Sequence, residues 1–468
     1  MKEQPPFDIA IIGSGPGGYV AAIRAGQLGL KTAVIEKDTR YGGTCLLRGC
    51  IPTKALLRDA HLFQELKRAS QQGLFKTGDI SIDFGKIQER KSDVVDKMAK
   101  GVEFLFRKNK VTVFKGYGTI ATPNKIVVKG NGASTEVNAK NIIVATGSEA
   151  KSLTGYNFDE KTILSNVGVL ELSQIPKSML IVGSGAVGVE FASIYNSFGT
   201  KVTLIEVLPA IVPIEDEEVS KELKRVFTKK GIEVYTKAKL ESAKAGDSGV
   251  EVTFQTEKGE VKKYTVEKVL MATGRGPNTP NIGLDKIAVV LDRGFVKVDG
   301  YMETNVKGVY AIGDITSSAA LAHVAQQEGI VAVERIAGKH PIPINYNQVP
   351  ACTYCDPQVA SVGLTEAKAA QAGFKVKVGK FPFTAIGKAK IEDASEGFVK
   401  VVADAKYGEI LGIHMIGNTV TEMIAEAVAA IALEGTVEDL VNTIHAHPTL
   451  AEATHEAMEN VFGAAIHI

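Results

Sequence analysis

Cys45 and Cys50 are the residues of this chain best suited to redox chemistry. They are two of only four cysteines in 468 residues, and both lie in Gly42-Gly43-Thr44-Cys45-Leu46-Leu47-Arg48-Gly49-Cys50-Ile51-Pro52-Thr53-Lys54. A thiol pair this close can open and close as a disulfide without moving the fold. A helix is predicted over 54–69. If the cysteines fall in its first turns, its dipole favours a thiolate. On its own, CxxxxC reads more readily as two buried cysteines near a helix start. The second candidate group is His447 with Glu452, in His445-Ala446-His447-Pro448-Thr449-Leu450-Ala451-Glu452. Where a turn meets a helix these two could pair. A carboxylate-held imidazole is oriented and more basic, suited to general base work. The alternative is a helix-start histidine with no chemistry.

The elements around these residues supply a reason to read them together. Asp8 to Ile12 reads as an apolar strand entering Gly13-Ser14-Gly15-Pro16-Gly17-Gly18. A helix follows over 19–28, then a strand over 30–35 ending at Glu36. Strand, glycine turn, helix, strand and acid form the dinucleotide-binding fingerprint in its required context. Gly13 allows the tight turn, Gly15 lets backbone approach a pyrophosphate, and Gly18 lets helix and strand pack. Glu36 can accept hydrogen bonds from ribose hydroxyls. The pattern recurs: a strand over 178–182, Gly183-Ser184-Gly185-Ala186-Val187-Gly188, a helix over 189–198, and a strand over 201–205 ending at Glu206. In both copies the acid lies 18 residues after the last fingerprint glycine. Two dinucleotides in one chain are expected.

Each copy closes with a similar strand, Asn141-Ile142-Ile143-Val144-Ala145-Thr146-Gly147 and Lys268-Val269-Leu270-Met271-Ala272-Thr273-Gly274. Between fingerprint and closing strand, β-like segments at 110–118, 125–129 and 250–255 predict a small antiparallel sheet added to each copy. Another apolar strand, Gly308 to Asp314, reads as a return to the first copy, and a helix is predicted over 321–337. Pro341, Pro343 and Pro350 mark a boundary. The remainder alternates strands (376–381, 397–404, 409–416) with helices (365–372, 419–433) and carries no glycine fingerprint.

The length asks for two to four domains. With 54 basic and 53 acidic side chains the net charge is +1, which offers no electrostatic case for nucleic acid or an anionic membrane. No apolar run reaches the ~18 residues of a membrane span. MKEQPPFDIAIIG carries no recognisable leader, so a cytoplasmic location is expected, where cysteines serve redox catalysis or burial. Cys352-Thr353-Tyr354-Cys355 is a CxxC, but no second CxxC or histidine pair completes a zinc site. No metal is expected, and the pair is read as buried strand residues.

GSGPGG at 13–18, GGTCLLRGCIPTK at 42–54, GSGAVGVEF at 183–191, the two ATG strand ends, AIGD at 311–314, LAHVAQQEG at 321–329 and HAHPTLAEA at 445–453 occur in this order. With them the chain resembles the flavoprotein disulfide reductases over essentially its whole length. The resemblance implies an α/β fold: two Rossmann-like FAD/NAD(P)-binding domains plus an α+β C-terminal dimerisation domain. The implied division is 1–148 for the first part of the FAD-binding domain with the redox disulfide, 149–276 for the NAD-binding domain, 277–345 for a central part completing the FAD-binding domain, and 346–468 for the interface domain. It implies FAD, tightly and non-covalently bound, at Gly13, Gly15, Gly18, Glu36, Lys54, Gly118, Thr146, Gly147, Gly313, Asp314, Ala322 and His323. NAD is implied at Gly183, Gly185, Gly188, Glu206 and Gly274. Cys45 and Cys50 become the redox disulfide, Cys50 on the flavin side and Cys45 exchanging with substrate thiols. Lys54 lies beside the flavin and pairs with Glu190. His447, held by Glu452, is the acid–base, contributed across a homodimer.

Within the family, three features favour oxidation of protein-bound dihydrolipoyl groups with NAD⁺ as acceptor. Glu206 is followed by Val207-Leu208-Pro209, with no basic residue for a 2′-phosphate. The tail Gly463-Ala464-Ala465-Ile466-His467-Ile468 has no extra cysteine pair, and both redox cysteines are present. The implied partner is a lipoyl-bearing acyltransferase of a 2-oxo acid or acetoin dehydrogenase complex, or the glycine cleavage system. Alternatives are an NAD(P)H-dependent disulfide reductase for another thiol and a non-catalytic redox-sensing flavoprotein. Leu47, Arg48 and Thr53 depart from the family's usual Asn, Val and Ser. Arg48 adds a charge between the cysteines, which either depresses a thiolate pKa or is simply solvated.

Overall fold

The computed structural model describes residues 6–75, 78–130, 132–246, 249–316 and 319–468. The short lead before Pro6 lies outside the described residues. The chain divides into two compact units: residues 1–55, 86–151 and 275–346 form one, and 56–85, 152–274 and 347–468 form the other.

In the first unit a parallel sheet runs in the order Thr112–Lys115, Thr32–Glu36, Phe7–Ile12, Ser134–Val144, Val309–Ala311. Residues 9–12 of the strand Phe7–Ile12 read as a continuous apolar run because helices and sheet cover both faces; Ile9, Ala10 and Ile11 are fully buried. Ser134–Val144 serves two sheets. Its second half pairs parallel with Phe7–Ile12, while its first half pairs antiparallel with Lys125–Lys129, which in turn pairs with Tyr117–Thr122. Its sequence changes accordingly, from alternating burial to the solid apolar Ile142-Ile143-Val144. The strand over 309–311 does return to this sheet, as expected. The stretch 110–118 is a correction. It is not one segment of the small sheet: Thr112–Lys115 is the parallel edge strand beside Thr32–Glu36, and the antiparallel part begins only at Tyr117. Gly116, with φ +146°, breaks the run between them.

In the second unit a parallel sheet runs Glu233–Tyr235, Lys201–Ile205, Ser178–Val182, Lys268–Met271, Ile163–Leu164, with a three-stranded antiparallel sheet (Lys239–Gly246, Gly249–Gln255, Val261–Val266) added. The C-terminal part of this unit is a five-stranded antiparallel sheet, ordered Ala351–Thr353, Gln358–Gly363, Ile410–Gly417, Phe398–Asp404, Val376–Pro382. Helices Val420–Ala432 and Glu452–Val461 bury their apolar faces on it, around Phe381, Val401, Met415, Ala457 and Met458. The architecture is thus α/β with two Rossmann-like parts and an α+β C-terminal part. Among the described residues no helix is long and apolar enough to cross a membrane.

Candidate active site

The redox stretch folds as two helices rather than one. Gly43–Arg48 carries Cys45, and Cys50–Gln71 begins at Cys50 itself, four residues before the helix start expected from sequence. Gly42, with φ +116°, makes the entry turn, and its N–H bonds the Ser14 carbonyl at 3.0 Å. This ties the cysteine helix to the first glycine turn. Both cysteines are partly buried thiols. The Cys45 side chain is hydrogen-bonded to Cys50; that bond, then burial, pushes the Cys45 thiol well up, against the opposing charge of Lys54. In the reduced pair Cys45 therefore keeps its proton, contrary to a thiolate there. Cys50 occupies the N-terminal position where the helix dipole favours negative charge.

A second cation stands near this pair. Arg275, the residue after Thr273-Gly274, donates through Nε to Ser148 Oγ at 2.8 Å and through its terminal nitrogen to the Ser148 carbonyl at 2.5 Å. Its Nε is 4.0 Å from Asp314 Oδ2. Burial pushes its pKa down, opposed by the charges of Asp314, Cys50 and Glu149. Ser148 also donates to Asp314. Arg275 and Ser148 were not among the residues read from sequence. Their signal is positional: each directly follows an ATG, and the two segments pair as antiparallel strands Arg275–Pro277 and Ser148–Ala150.

Arg48 turns elsewhere. Its guanidinium pairs with Asp38, and its charge also acts on Arg275. Arg48→Val is therefore expected to move the dithiol midpoint potential by less than about 30 mV, the equivalent of tenfold in equilibrium constant. A redox titration against glutathione checks this, and a larger shift would return Arg48 to the pair's electrostatics.

The two glycine turns match closely. Glu36 Oε2 accepts Ser14 N–H at 2.9 Å and Ser14 Oγ at 2.5 Å, while Oε1 accepts Asp38 N–H at 2.7 Å. Glu206 Oε2 accepts Ser184 N–H and Oγ, both at 2.8 Å, and Oε1 accepts Leu208 N–H at 2.9 Å. Each acid thus locks its turn and keeps lone pairs for a ribose. A Cβ at Gly18 would lie 2.0 Å from the Gly13 carbonyl, and one at Gly188 the same distance from Gly183, so only glycine allows that packing. At Gly185 an added Cβ meets nothing within 4 Å, and at Gly15 only Gly43 at 4.0 Å. Bare backbone there faces open space where a diphosphate could lie.

The remaining expected cofactor residues are held as follows. Thr146 and Gly147 are clamped by Asn278, which accepts Thr146 Oγ1 through its carbonyl at 2.8 Å and donates its N–H to Gly147 at 2.9 Å. Gly313 takes φ +74° and donates to the fully buried Glu328 at 2.5 Å, whose other oxygen accepts Tyr346 OH at 2.8 Å. This fixes the turn bearing Asp314. Ala322 and His323 open the helix Ala322–Ile336. Gly274 has φ +122°. Gly118 lies where a Cβ would press on Ile35 at 3.0 Å and Ile12 at 3.3 Å. Asn278 and Glu328 also escaped the sequence reading. Lys54 belongs to the first unit, on the helix Cys50–Gln71, and Glu190 to the second, buried on Ala186–Ser197 and accepting Tyr354 N–H at 2.9 Å.

In the second unit His447 Nδ1 is 2.9 Å from Glu452 Oε1, and Glu452 Oε2 accepts Thr449 N–H at 2.9 Å. Glu452 is the first residue of the helix Glu452–Val461. Burial pushes its carboxyl up, but the bonds from His447 and Thr449 reverse this and hold it below the usual carboxylate range. The His447 side chain is 79% exposed. With Nδ1 engaged, Nε2 is the nitrogen left to exchange a proton. His445 contrasts with it: only 9% exposed, it is tied to Glu426 at 2.7 Å and to the Thr443 carbonyl at 2.9 Å. The expectation of two buried strand cysteines is corrected: Cys352 lies on the strand Ala351–Thr353 but is only half-buried, while Cys355 is fully buried in the bend beyond it, where burial raises its thiol pKa. Among the described residues no cluster of His, Cys, Asp and Glu could hold a metal.

Known proteins of one family resemble this chain over most of its length. Residues 7–329 match the model of the pyridine nucleotide-disulphide oxidoreductases, and 349–458 match the dimerisation domain of the same family. The dihydrolipoyl dehydrogenase of Bacillus subtilis (strain 168) is 46% identical over 471 residues, covering 98% of this chain and 99% of the relative. The mitochondrial dihydrolipoyl dehydrogenase of Schizosaccharomyces pombe is 43% identical, covering 98% and 91%. The crystal structure of LpdA from Mycobacterium tuberculosis superposes with a TM-score of 0.88 at 27% identity, over 96% of this chain and 98% of that one. With a paired-cysteine helix, two glycine turns each locked by its acid, and family models matching most of its length, this chain belongs to the pyridine nucleotide-disulphide oxidoreductases.

Proposed function

We propose that the protein is a dihydrolipoyl dehydrogenase: it oxidises protein-bound dihydrolipoyl groups to lipoyl and reduces NAD⁺ to NADH. The observation that carries this reading is the hydrogen-bonded pair Cys45 and Cys50, in one unit with a glycine turn whose acid, serine and open backbone fit FAD. The second such turn, in the other unit, fits NAD⁺. A 2′-phosphate would meet the Glu206 carboxylate and the exposed, uncharged Val207 and Leu208, which disfavours NADP⁺.

FAD, held by the first turn, Asp314 and the 146–147 and 322–323 segments, supplies the two-electron step between thiols and pyridine nucleotide. The chain's own residues handle thiols and protons. Cys45 and Cys50 start as a disulfide. His447, aligned by Glu452, removes a proton from one substrate thiol, and the resulting thiolate attacks Cys45, breaking the protein disulfide. The second substrate thiolate then displaces Cys45, which closes the lipoyl ring and leaves both protein cysteines reduced. Lys54 and Arg275 set positive charge beside the pair. The balance is dithiol plus NAD⁺ giving disulfide, NADH and one proton.

The functional division follows the boundaries 148/149, 276/277 and 345/346, with 346–468 as interface domain in a homodimer that joins His447 of one subunit to the cysteines of the other. Lys54 pairing with Glu190 is part of the same reading. So is a cytoplasmic setting, and a lipoyl-bearing acyltransferase of a dehydrogenase complex as partner. The test is NADH formation by the purified yellow protein from NAD⁺ and dihydrolipoamide. Turnover with NAD⁺ and little with NADP⁺ is expected; a folded, flavin-loaded protein that forms no NADH would sink the reading.

A further inference from the structure

The second glycine turn is linked to the C-terminal sheet by an unbroken chain of hydrogen bonds, all inside the second unit. It starts at Ser184, held by Glu206. Six residues after Glu206, the Val212 N–H bonds the Ser184 carbonyl at 3.0 Å. In the first copy the residue six after Glu36 is Gly42, making the same bond to Ser14. Glycine suits that left-handed turn; valine does not. Yet Val212 has φ +40° and is buried. A β-branched residue there is strained and persists only where its surroundings over-determine it.

What holds Val212 is the next turn of chain. Its carbonyl accepts the Glu215 N–H at 3.0 Å and the Ser220 hydroxyl at 3.3 Å. Asp216 caps the helix Glu217–Lys229, its Oδ1 accepting the Glu218 N–H at 3.0 Å. The same oxygen accepts Lys400 Nζ at 3.0 Å. Lys400 lies mid-strand in Phe398–Asp404 with its side chain 2% exposed, and it also reaches Glu218 at 2.8 Å and Glu366 at 2.7 Å. Burial works against its charge, but these three carboxylates outweigh that and hold it protonated. Ser361, His414, Lys400 and Lys380 stand opposite one another on four adjacent strands. Ser361 hydrogen-bonds Glu215, and Lys380 bonds Glu218. A polar row across an apolar sheet thus meets the acidic start of one helix. A buried ion pair adds little net stability over an apolar replacement, and its best-attested use is to fix geometry.

We propose that Lys400 is a positioning residue for the pyridine nucleotide. By anchoring Asp216 it holds the 206–216 segment in the strained turn that keeps Glu206 and Ser184 aligned for ribose and diphosphate. The idea rests on the reading of the second turn as the NAD⁺ site. The test measures the NAD⁺ dissociation constant by calorimetry, together with both KM values, in flavin-loaded wild type, Lys400→Met and Lys400→Arg. Lys400→Met is expected to weaken NAD⁺ binding by about two- to thirtyfold with an unchanged KM for dihydrolipoamide and unchanged flavin content, and Lys400→Arg to restore most of the loss. Asp216→Asn keeps the helix cap but weakens the link, and serves if Lys400→Met does not fold; a loss of NAD⁺ affinity in the same direction is expected. Wild type that binds no NAD⁺ overturns the site reading itself. Wild type that binds, with unchanged affinity in the folded variants, overturns the role of Lys400 alone. Equal losses for both substrates mark general loosening and overturn it as well.

Discussion

Cys50→Ser is expected to abolish NADH formation from dihydrolipoamide, a loss of at least ~10³-fold in kcat. Serine nearly matches cysteine in size, and position 50 is only the first residue of a 22-residue helix, so the fold and flavin content should survive. What disappears is the sulfur that closes the disulfide. Without it a substrate thiolate has no bond in the protein to break, and no electron pair enters. The position also matters for charge. Cys50 has the helix end and the Arg275 guanidinium nearby, while Cys45 is the thiol kept protonated by its bond to Cys50 and by burial. Cys45→Ser is expected to be equally inactive, for a different reason: it removes the sulfur that substrate attacks. The assay is NADH absorbance, with flavin absorbance as the folding control. Retention of more than about a tenth of wild-type turnover by either variant would remove the pair from the reaction.

Much of this site is legible in the sequence because its chemistry is local. Each glycine turn is specified by residues within a few positions of one another, and its acid sits at a fixed distance fixed by one helix and one strand. The same holds for His447 and Glu452, five residues apart across a turn. What sequence reasoning missed depends on pairings between distant segments. Arg275 and Ser148 meet only because the residues after the two ATG ends pair as strands, and Glu328 reaches Gly313 only through helix packing. No local pattern encodes either. Arg48 illustrates a different limit. Its place between the cysteines suggested an electrostatic role, but proximity along the chain leaves side-chain direction open, and Asp38 takes the guanidinium. The misread stretch 110–118 failed because a short edge strand of a parallel sheet and the first strand of an antiparallel one share the same β-rich composition. Only the break at Gly116 separates them.

His447→Gln is expected to lower dihydrolipoamide-dependent turnover by ~10²- to 10⁴-fold while leaving NADH-driven reduction of an artificial dye acceptor intact. Glutamine can still donate to Glu452, so the turn and the start of the helix Glu452–Val461 should keep their geometry. It cannot carry the substrate proton. The dye reaction needs no thiol deprotonation, so the ratio of the two rates isolates the base from any damage to cofactor sites. Glu452 supplies a further control through pH. Its carboxyl is held below the usual range, so it stays ionised at neutrality, and its bond to His447 is lost only as pH falls through that lowered value. Any pH dependence of the thiol half-reaction over roughly pH 6 to 8 therefore does not come from Glu452. If the variant instead keeps more than about a tenth of wild-type turnover, the proton leaves by another route. The His–Glu pair would then be a structural clasp at the helix start, a part Glu452 already plays by accepting the Thr449 N–H.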